Sequence, residues 1–293
     1  MIYQGHTDHI FAVAWSPDGR YVASASRDTT VHVWQAADGQ PVTVYSGHDH
    51  PVLSIAWSRD GARLASGCTS GLVQVWEPFT GETILTYRGH ARFVRSVAWS
   101  PDDRYIASGG DYGDSTVQVW EAATGKAVFT CDRQYRIFAV RWSLDGARLA
   151  SASFDGTAQV WDAFDGGNAL VYQEHNGPLY ALDWSHDGQS IASAGEDTTV
   201  RVWNAATGET TQVYRGHTHP LKALAWSPDN LLLASGGDDT TVQVWGAVNG
   251  QPRDAYGYSG HAAWIRALAW SPDGQRLASA SNRRVVVVNE VFC

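Results

Sequence analysis

Apolar and polar residues alternate in short runs along the whole chain. Residues 10–15 read Ile-Phe-Ala-Val-Ala-Trp, the period of two expected of a half-buried strand whose side chains point alternately to opposite faces. Ser16-Pro17-Asp18-Gly19 follows, with Pro and Gly in turn-forming positions. Residues 20–26 predict a second strand, Arg27-Asp28-Thr29 a turn, and Val31-His32-Val33-Trp34 a third strand. Asp38-Gly39 then makes a hairpin into a fourth strand near 41–46. No long helical pattern interrupts this series.

The unit repeats. A Trp followed by Ser stands at Trp15, Trp57, Trp99, Trp142, Trp184, Trp226 and Trp270, at intervals of 42, 42, 43, 42, 42 and 44 residues. A second column follows at Trp34, Trp76, Trp120, Trp161, Trp203 and Trp245, with Asn289 as its seventh member. The two columns absorb every Trp of the chain except Trp264. Asp-Gly, Thr-Gly or Asn-Gly recurs at the last hairpin, as at Thr80-Gly81, Thr124-Gly125, Thr207-Gly208 and Asn249-Gly250.

Gly-His stands at 5–6, 47–48, 89–90, 216–217 and 260–261, with Glu174-His175 as a variant. Four-strand units about 40–45 residues long with these Gly-His and Trp columns resemble the WD-repeat family over the whole chain. Literal Trp-Asp occurs only at Trp161-Asp162; elsewhere Gln, Glu, Asn or Gly follows the Trp. The resemblance implies an all-β fold, a single seven-bladed β-propeller of four-stranded antiparallel blades spanning 1–293. The repeats fall near 6–46, 48–88, 90–131, 133–173, 175–215, 217–259 and 261–293 plus 1–5. The seventh ends soon after its third strand, and Met1-Ile2-Tyr3-Gln4 aligns with Thr43-Val44-Tyr45-Ser46. The N-terminal strand is therefore expected to complete blade 7 and close the ring, removing an exposed sheet edge.

Charge and cysteine content narrow the partners. A net charge of −9 opposes nucleic acid, whose binding comes mostly from neutralising phosphates, and equally an anionic membrane surface. Cys68, Cys131 and Cys293 lie far apart without a CxxC spacing, so neither a disulfide framework nor a zinc site is indicated. No apolar run reaches the roughly 20 residues a spanning helix needs, and the N-terminus lacks a signal-peptide core. A cytoplasmic, monomeric protein without cofactor or metal is expected.

Ser, His and Asp recur at fixed places before each second-column Trp. The sets are His6, Ser24, Asp28 and Trp34; His90, Ser108, Asp114 and Trp120; His175, Ser193, Asp197 and Trp203; and His217, Ser235, Asp239 and Trp245. A Ser-His-Asp nucleophile is one reading. The family resemblance implies another, a structural hydrogen-bond chain from Trp through Ser and His to Asp inside each blade. Repetition favours the second, since an enzyme needs one activated serine with its oxyanion hole, whereas a buried polar network rigidifies every blade that holds it. Repeat two has Ser70 in the Asp place, repeat four has Arg133 in the His place, and repeat seven has Arg283 and Asn289 for Asp and Trp. His48-Asp49-His50 and His217-Thr218-His219 have metal-like spacing but lack further ligands. Ala123-Thr124-Gly125-Lys126 lacks the rest of a phosphate loop and reads as a hairpin turn.

Where repeats agree they encode scaffold, and where one rim differs it can encode specificity. In WD-repeat propellers the loop after Gly-His and the entry of the first strand form a rim around the central channel. The positions four before each first-column Trp are Phe11, Leu53, Arg95, Phe138, Tyr180, Lys222 and Arg266. Two residues earlier lie His9, Pro51, Phe93, Arg136, Pro178, Pro220 and Trp264, and the residue before the turn Asp adds Arg27, Phe154 and Glu196. Aromatics and Arg are the hot-spot types, and a basic rim on an acidic protein favours a peptide carrying acidic groups. Trp264 is the strongest anchor candidate because neither column needs it. The leading expectation is a non-catalytic scaffold for protein or peptide partners. A regulatory propeller excised from a larger ATPase or kinase is one alternative. A channel-sited enzyme is another, and it would need a carboxylate or metal-ligand cluster on inner strands that read mostly Ala, Val and Trp.

Overall fold

Each alternating run forms a strand, and consecutive strands pair antiparallel in sets. The computed structural model describes residues 1–252 and 261–291. Blade 1 comprises Ile10–Trp15, Tyr21–Ser26, Val31–Gln35 and Pro41–Tyr45, hydrogen-bonded in that order. The next four blades repeat this plan from Val52–Trp57, Val94–Trp99, Ile137–Trp142 and Leu179–Trp184. Blade 6 shows Leu221–Trp226, Leu232–Gly237 and Val242–Gly246, with Trp245 bridged to Pro252. The fourth strand expected for repeat 217–259 falls on residues outside those described, as does Cys293. In blade 7, Ile2–Tyr3 pairs with Val286–Glu290, Ile2 opposite Val287, followed by Arg276–Ser281 and Ile265–Trp270. The protein is thus an all-β, seven-bladed propeller of antiparallel sheets, and no helix occurs among the described residues.

The first strand of each blade lies beside the first strands of its neighbours around the axis, Ile10–Trp15 packing on Ile265–Trp270. The core therefore sits between blades. Ala23, Ala25, Val31 and Val33 of blade 1 form one buried cluster with Val52, Ile55, Trp57, Leu64 and Trp76 of blade 2. Small residues on one blade leave room for the large rings of the next, and the same division recurs between blades 2 and 3. Every second-column Trp is fully buried, so truncating one would cost roughly 3–5 kcal/mol.

Two further devices join the blades, neither of which the repeat pattern alone had singled out. The fourth-strand Tyr of one repeat stacks on the next second-column Trp: Tyr3 on Trp34 at 4.6 Å, Tyr45 on Trp76 at 4.2 Å, Tyr87 on Trp120 at 4.3 Å. Where Cys131 replaces this Tyr, Phe129 packs against Trp161 at a tilted 5.8 Å instead. First-column indoles donate to a carbonyl of the preceding blade, Trp15 to Ala269, Trp57 to Ala14 and Trp99 to Ala56. Trp142, Trp184 and Trp270 donate likewise, to Ala98, Arg141 and Ala225. Trp226 departs from this pattern: its Nε1 finds no acceptor among the described residues, and its backbone N–H donates to the Asp183 carboxylate at 2.9 Å.

Candidate functional site

One end of the channel opens into a depression of about 450 Å³. All seven positions at the first-strand entry converge on it: Phe11, Leu53, Arg95, Phe138, Tyr180, Lys222 and Arg266. Arg27, Phe93, Pro51 and Thr69 complete its wall. A second ring surrounds this one, because a backbone N–H sixteen residues after each inner position closes onto the strand entry. Thus Arg27 bonds His9 O, Asp111 bonds Phe93 O, Asp238 bonds Pro220 O and Asn282 bonds Trp264 O. The ring reads Arg27, Thr69, Asp111, Phe154, Glu196, Asp238 and Asn282. Of the remaining rim candidates, His9 sits beside Asp8 with Nε2 3.9 Å from the carboxylate. Trp264 is 47% exposed and lies outside the depression's wall, with the Arg266 guanidinium 5.1 Å from its ring centre.

The second ring corrects the expectation of a basic rim. The fully buried Asp111 carboxylate accepts from Arg95 Nε and from Arg136 Nε, each at 2.7 Å. Burial alone would raise the Asp111 pKa, but the two guanidiniums outweigh it and hold the group below its ordinary range. Lys222 Nζ lies 3.8 Å from Asp238 and Arg27 Nε 3.9 Å from Asp8. Tyr180 donates to Glu196 at 3.0 Å. Most of the cations are therefore already compensated. In repeat three the partner was hidden because two inserted residues, Asp111-Tyr112-Gly113-Asp114, place the ring residue three before the turn Asp rather than one.

Aromatic rings gather on one arc of this rim. Phe138 meets Tyr180 edge-to-face at 5.0 Å, and Phe154 packs near Phe138 and Tyr135. Arg136, at a left-handed φ of 57°, lies 4.6 Å from the Phe154 ring centre, 5.5 Å from Phe138 and 5.8 Å from Tyr112. Lys222 Nζ lies 3.3 Å above Tyr180. Tyr112, Tyr135 and Phe154 are exposed. Trp264 and Arg266 stand apart from this arc, on blade 7.

The Ser-His-Asp sets lie inside the blades. In blade 1, His6 Nδ1 is 2.9 Å from Asp28 and Nε2 2.9 Å from Ser24 Oγ, which also accepts from Trp34 Nε1 at 3.3 Å. A carboxylate only accepts, so Nδ1 carries the proton and Ser24 donates to Nε2. The Ser24 hydroxyl is fully buried and committed at both ends, and so presents nothing to a substrate. His175, Ser193, Asp197 and Trp203 repeat the chain. In blade 3, His90 bonds Ser108 at 2.7 Å, Trp120 donates to Ser108, and His90 Nδ1 stands 3.2 Å from Asp114. In blade 6, His217 bridges Asp239 and Ser235, but Trp245 Nε1 has no partner among the described residues, so the chain there begins at Ser235. Burial raises the Asp114 pKa, but the adjacent His90 and hydrogen bonds from Thr116 and the Ala91 backbone N–H bring it down to about 2. The same balance puts Asp28, Asp197 and Asp239 far below the usual carboxylate range.

Blade 4 needs a correction. Gln134, not Arg133, takes the His place: it accepts from Ser151 Oγ and donates to Thr157, while Arg133 donates to Gly166 O. The connection is one residue tighter, so equal spacing pointed to the wrong neighbour. Blades 2 and 7 keep only the inner half of the network. His48 bonds Ser66 and His261 bonds Ser279, but neither Nδ1 has a partner among the described residues. Burial pushes both imidazoles down to about 4.

Two local clusters escaped the repeat analysis. His32 replaces the Gln found at this place in most repeats, and its ring stacks on His6 at 3.8 Å. With Asp28 they form a group of three metal-type ligands. Near-parallel rings do not aim their in-plane lone pairs at one point, and His32 Nδ1 is hydrogen-bonded to the Tyr3 hydroxyl at 2.8 Å, so the group is a hydrogen-bonded cluster. In the channel, five equivalent positions are Ala14, Ala56, Ala98, Ala225 and Ala269, whereas Arg141 and Asp183 fill the other two with Nε 3.8 Å from the carboxylate. Burial raises the Asp183 pKa despite the cation. The inner strands therefore carry one ion pair among their Ala, Val and Trp.

Comparison with known proteins places these blades in context. The family model described as WD domain, G-beta repeat matches residues 1–35, 39–77, 81–121, 125–162, 167–204, 208–246 and 253–289. A ribosome biogenesis protein BOP1 homolog of Drosophila virilis is 45% identical over 40 residues, 14% of this chain and 5% of that protein. A probable cytosolic iron-sulfur protein assembly protein Ciao1 of Culex quinquefasciatus is 50% identical over 40 residues, 14% of this chain and 12% of that protein. The matched segment is thus about one repeat long, a small part of either relative.

Proposed function

Because the chain belongs to the WD40 family of G-beta repeats, we propose that it is a non-catalytic scaffold whose protein or peptide partners seat on the rim around the Phe11–Arg266 mouth. One observation carries this reading. Seven structurally equivalent side chains meet in one depression, and they are Phe, Leu, Arg, Phe, Tyr, Lys and Arg, while the positions that build the blades repeat nearly unchanged. Scaffold positions need sameness, whereas a recognition surface needs difference. The exposed arc of Tyr112, Tyr135, Phe154 and their neighbours supplies apolar contact area, and the Asp111 and Asp238 pairs hold its cations in place before any partner arrives, which lowers the ordering cost of binding. The partners are proteins rather than nucleic acid, and the site is used by a monomer in the cytoplasm.

The test compares rim and opposite face. The double variant Phe138→Ala/Phe154→Ala should lose partners that wild type retains from a cell extract. Arg20→Ala, at the Asp18-Gly19 turn on the other side, should retain them. Loss in Arg20→Ala with retention in the rim variant would place the binding surface elsewhere.

A further inference from the structure

The paired rings offer an internal comparison. In blades 3 to 7 the inner residue meets the residue sixteen positions later in its own blade. Arg95 Nε donates to the Asp111 carboxylate at 2.7 Å, and Lys222 Nζ stands 3.8 Å from Asp238. Arg266 occupies the same place in blade 7, but its partner is Asn282, whose Oδ1 accepts from Nε at 2.9 Å. The geometry of the Arg95–Asp111 pair is kept while the negative charge is gone. Among the described residues no carboxylate lies within ion-pair distance of Arg266, and only its Nε is hydrogen-bonded. Burial pushes the Arg266 pKa down, with Asp238 pulling the other way and Arg95 adding to the fall. A half-buried guanidinium whose remaining N–H groups are unspent carries a desolvation cost that its neighbours do not offset.

We infer that the Arg266 corner is a receptor for one carboxylate, that of an acidic side chain on the rim-bound partner. This rests on the reading that the rim is the binding surface. A guanidinium presents its donors as a planar fork that matches a carboxylate, and here the fork is oriented by Asn282. The exposed Trp264 ring, 5.1 Å from the guanidinium, walls the corner and gives the stem of a Glu or Asp an apolar surface. The acid is assigned to this corner because Arg27, Arg95, Arg136 and Lys222 each have a carboxylate within 4 Å, whereas Arg266 has none among the described residues.

Asn282→Asp supplies the missing charge and should close the corner by making a second Arg95–Asp111 pair. The probe is a hexaglutamate peptide capped at both ends, with capped hexaglutamine and uncapped hexaglutamine as comparisons, titrated calorimetrically at low salt. Wild type should bind capped hexaglutamate at least tenfold more tightly than capped hexaglutamine. Asn282→Asp and Arg266→Gln should each remove that preference. Gln275→Glu, the same charge change at an exposed turn on the opposite side of blade 7, should alter binding less than twofold. Equal weakening by Gln275→Glu would overturn the assignment in favour of a general field, and an unaltered Asn282→Asp would overturn it directly. Tight binding of uncapped hexaglutamine would assign the corner to a chain terminus instead. If capped hexaglutamine binds as well as hexaglutamate and Phe138→Ala/Phe154→Ala abolishes both, the rim reading stands and the acid corner falls. If hexaglutamate binding survives the Phe double variant as well as Asn282→Asp, both fall. Melting curves for each variant confirm that the blades remain folded.

Discussion

The Asp239 carboxylate accepts from His217 Nδ1 at 2.7 Å, and His217 Nε2 in turn meets the buried Ser235 hydroxyl at 2.8 Å. The same carboxylate takes the Thr218 backbone N–H at 3.2 Å and the Thr241 hydroxyl at 2.8 Å. One side chain thus ties the blade's entry loop to its turn. Asp239→Ala should cost roughly 1–3 kcal/mol, since a buried imidazole N–H loses its acceptor. Ser70→Ala, at the equivalent place in blade 2 where His48 has no such partner, should cost far less. Chemical denaturation of both variants checks the contrast, and equal losses would contradict it.

Supplying the missing acid should work in reverse. Ser70→Asp gives His48 Nδ1 an acceptor and should stabilise the protein by about 1 kcal/mol at neutral pH. A thermal shift comparing Ser70→Asp with Ser70→Asn separates the charge from the shape.

Acid should find the histidines that burial holds neutral. His48 and His261 are pushed down to about 4 by burial, and His32 to about 4 by burial and by its neighbour His6. Their folded values lie below the unfolded value of about 6.5, so the unfolded chain binds these protons first. Their stabilising contribution is present above about pH 6.5 and is lost as pH falls towards 4. Melting temperature should therefore drop across that window. Replacing His48 and His261 by Gln should flatten the drop, and an unchanged slope would assign it to other groups.

The N-terminal strand makes few backbone bonds, but Tyr3 stacks on Trp34 and is hydrogen-bonded to His32. If this strand closes the ring, deleting residues 1–5 exposes a sheet edge and uncovers Trp34. A loss of several kcal/mol is expected, the scale of removing a buried aromatic contact. A deletion variant that melts within a degree or two of the parent would refute closure.

Trp264 packs under no blade and is 47% exposed. Trp264→Ala should leave the melting temperature nearly unchanged while weakening partner binding by about 2 kcal/mol, some thirtyfold. Unfolding with binding spared would make Trp264 a packing residue.

The repeat itself was legible in the sequence because its causes are local. Alternation sets strands, Pro-Asp-Gly and Thr-Gly set turns, and the Trp columns recur wherever a blade must bury a large ring against its neighbour. The rim positions were legible for the same reason, as a fixed offset from Trp15 and its equivalents. Charge compensation was not. Asp111 pairs with Arg95 of its own blade and Arg136 of the next, and that meeting depends on two strand entries being brought together around the axis. Gln134 was missed because a loop tightened by one residue changes which side chain turns inward without disturbing the count of repeats. Tyr3 and Trp34, 31 positions apart, touch as Tyr45 and Trp76 do, because the strand that precedes each blade's Gly-His lies in the neighbouring blade and packs across the interface. Periodicity records which residues each blade must have, whereas pairing across blades depends on distances that exist only once the blades are packed side by side.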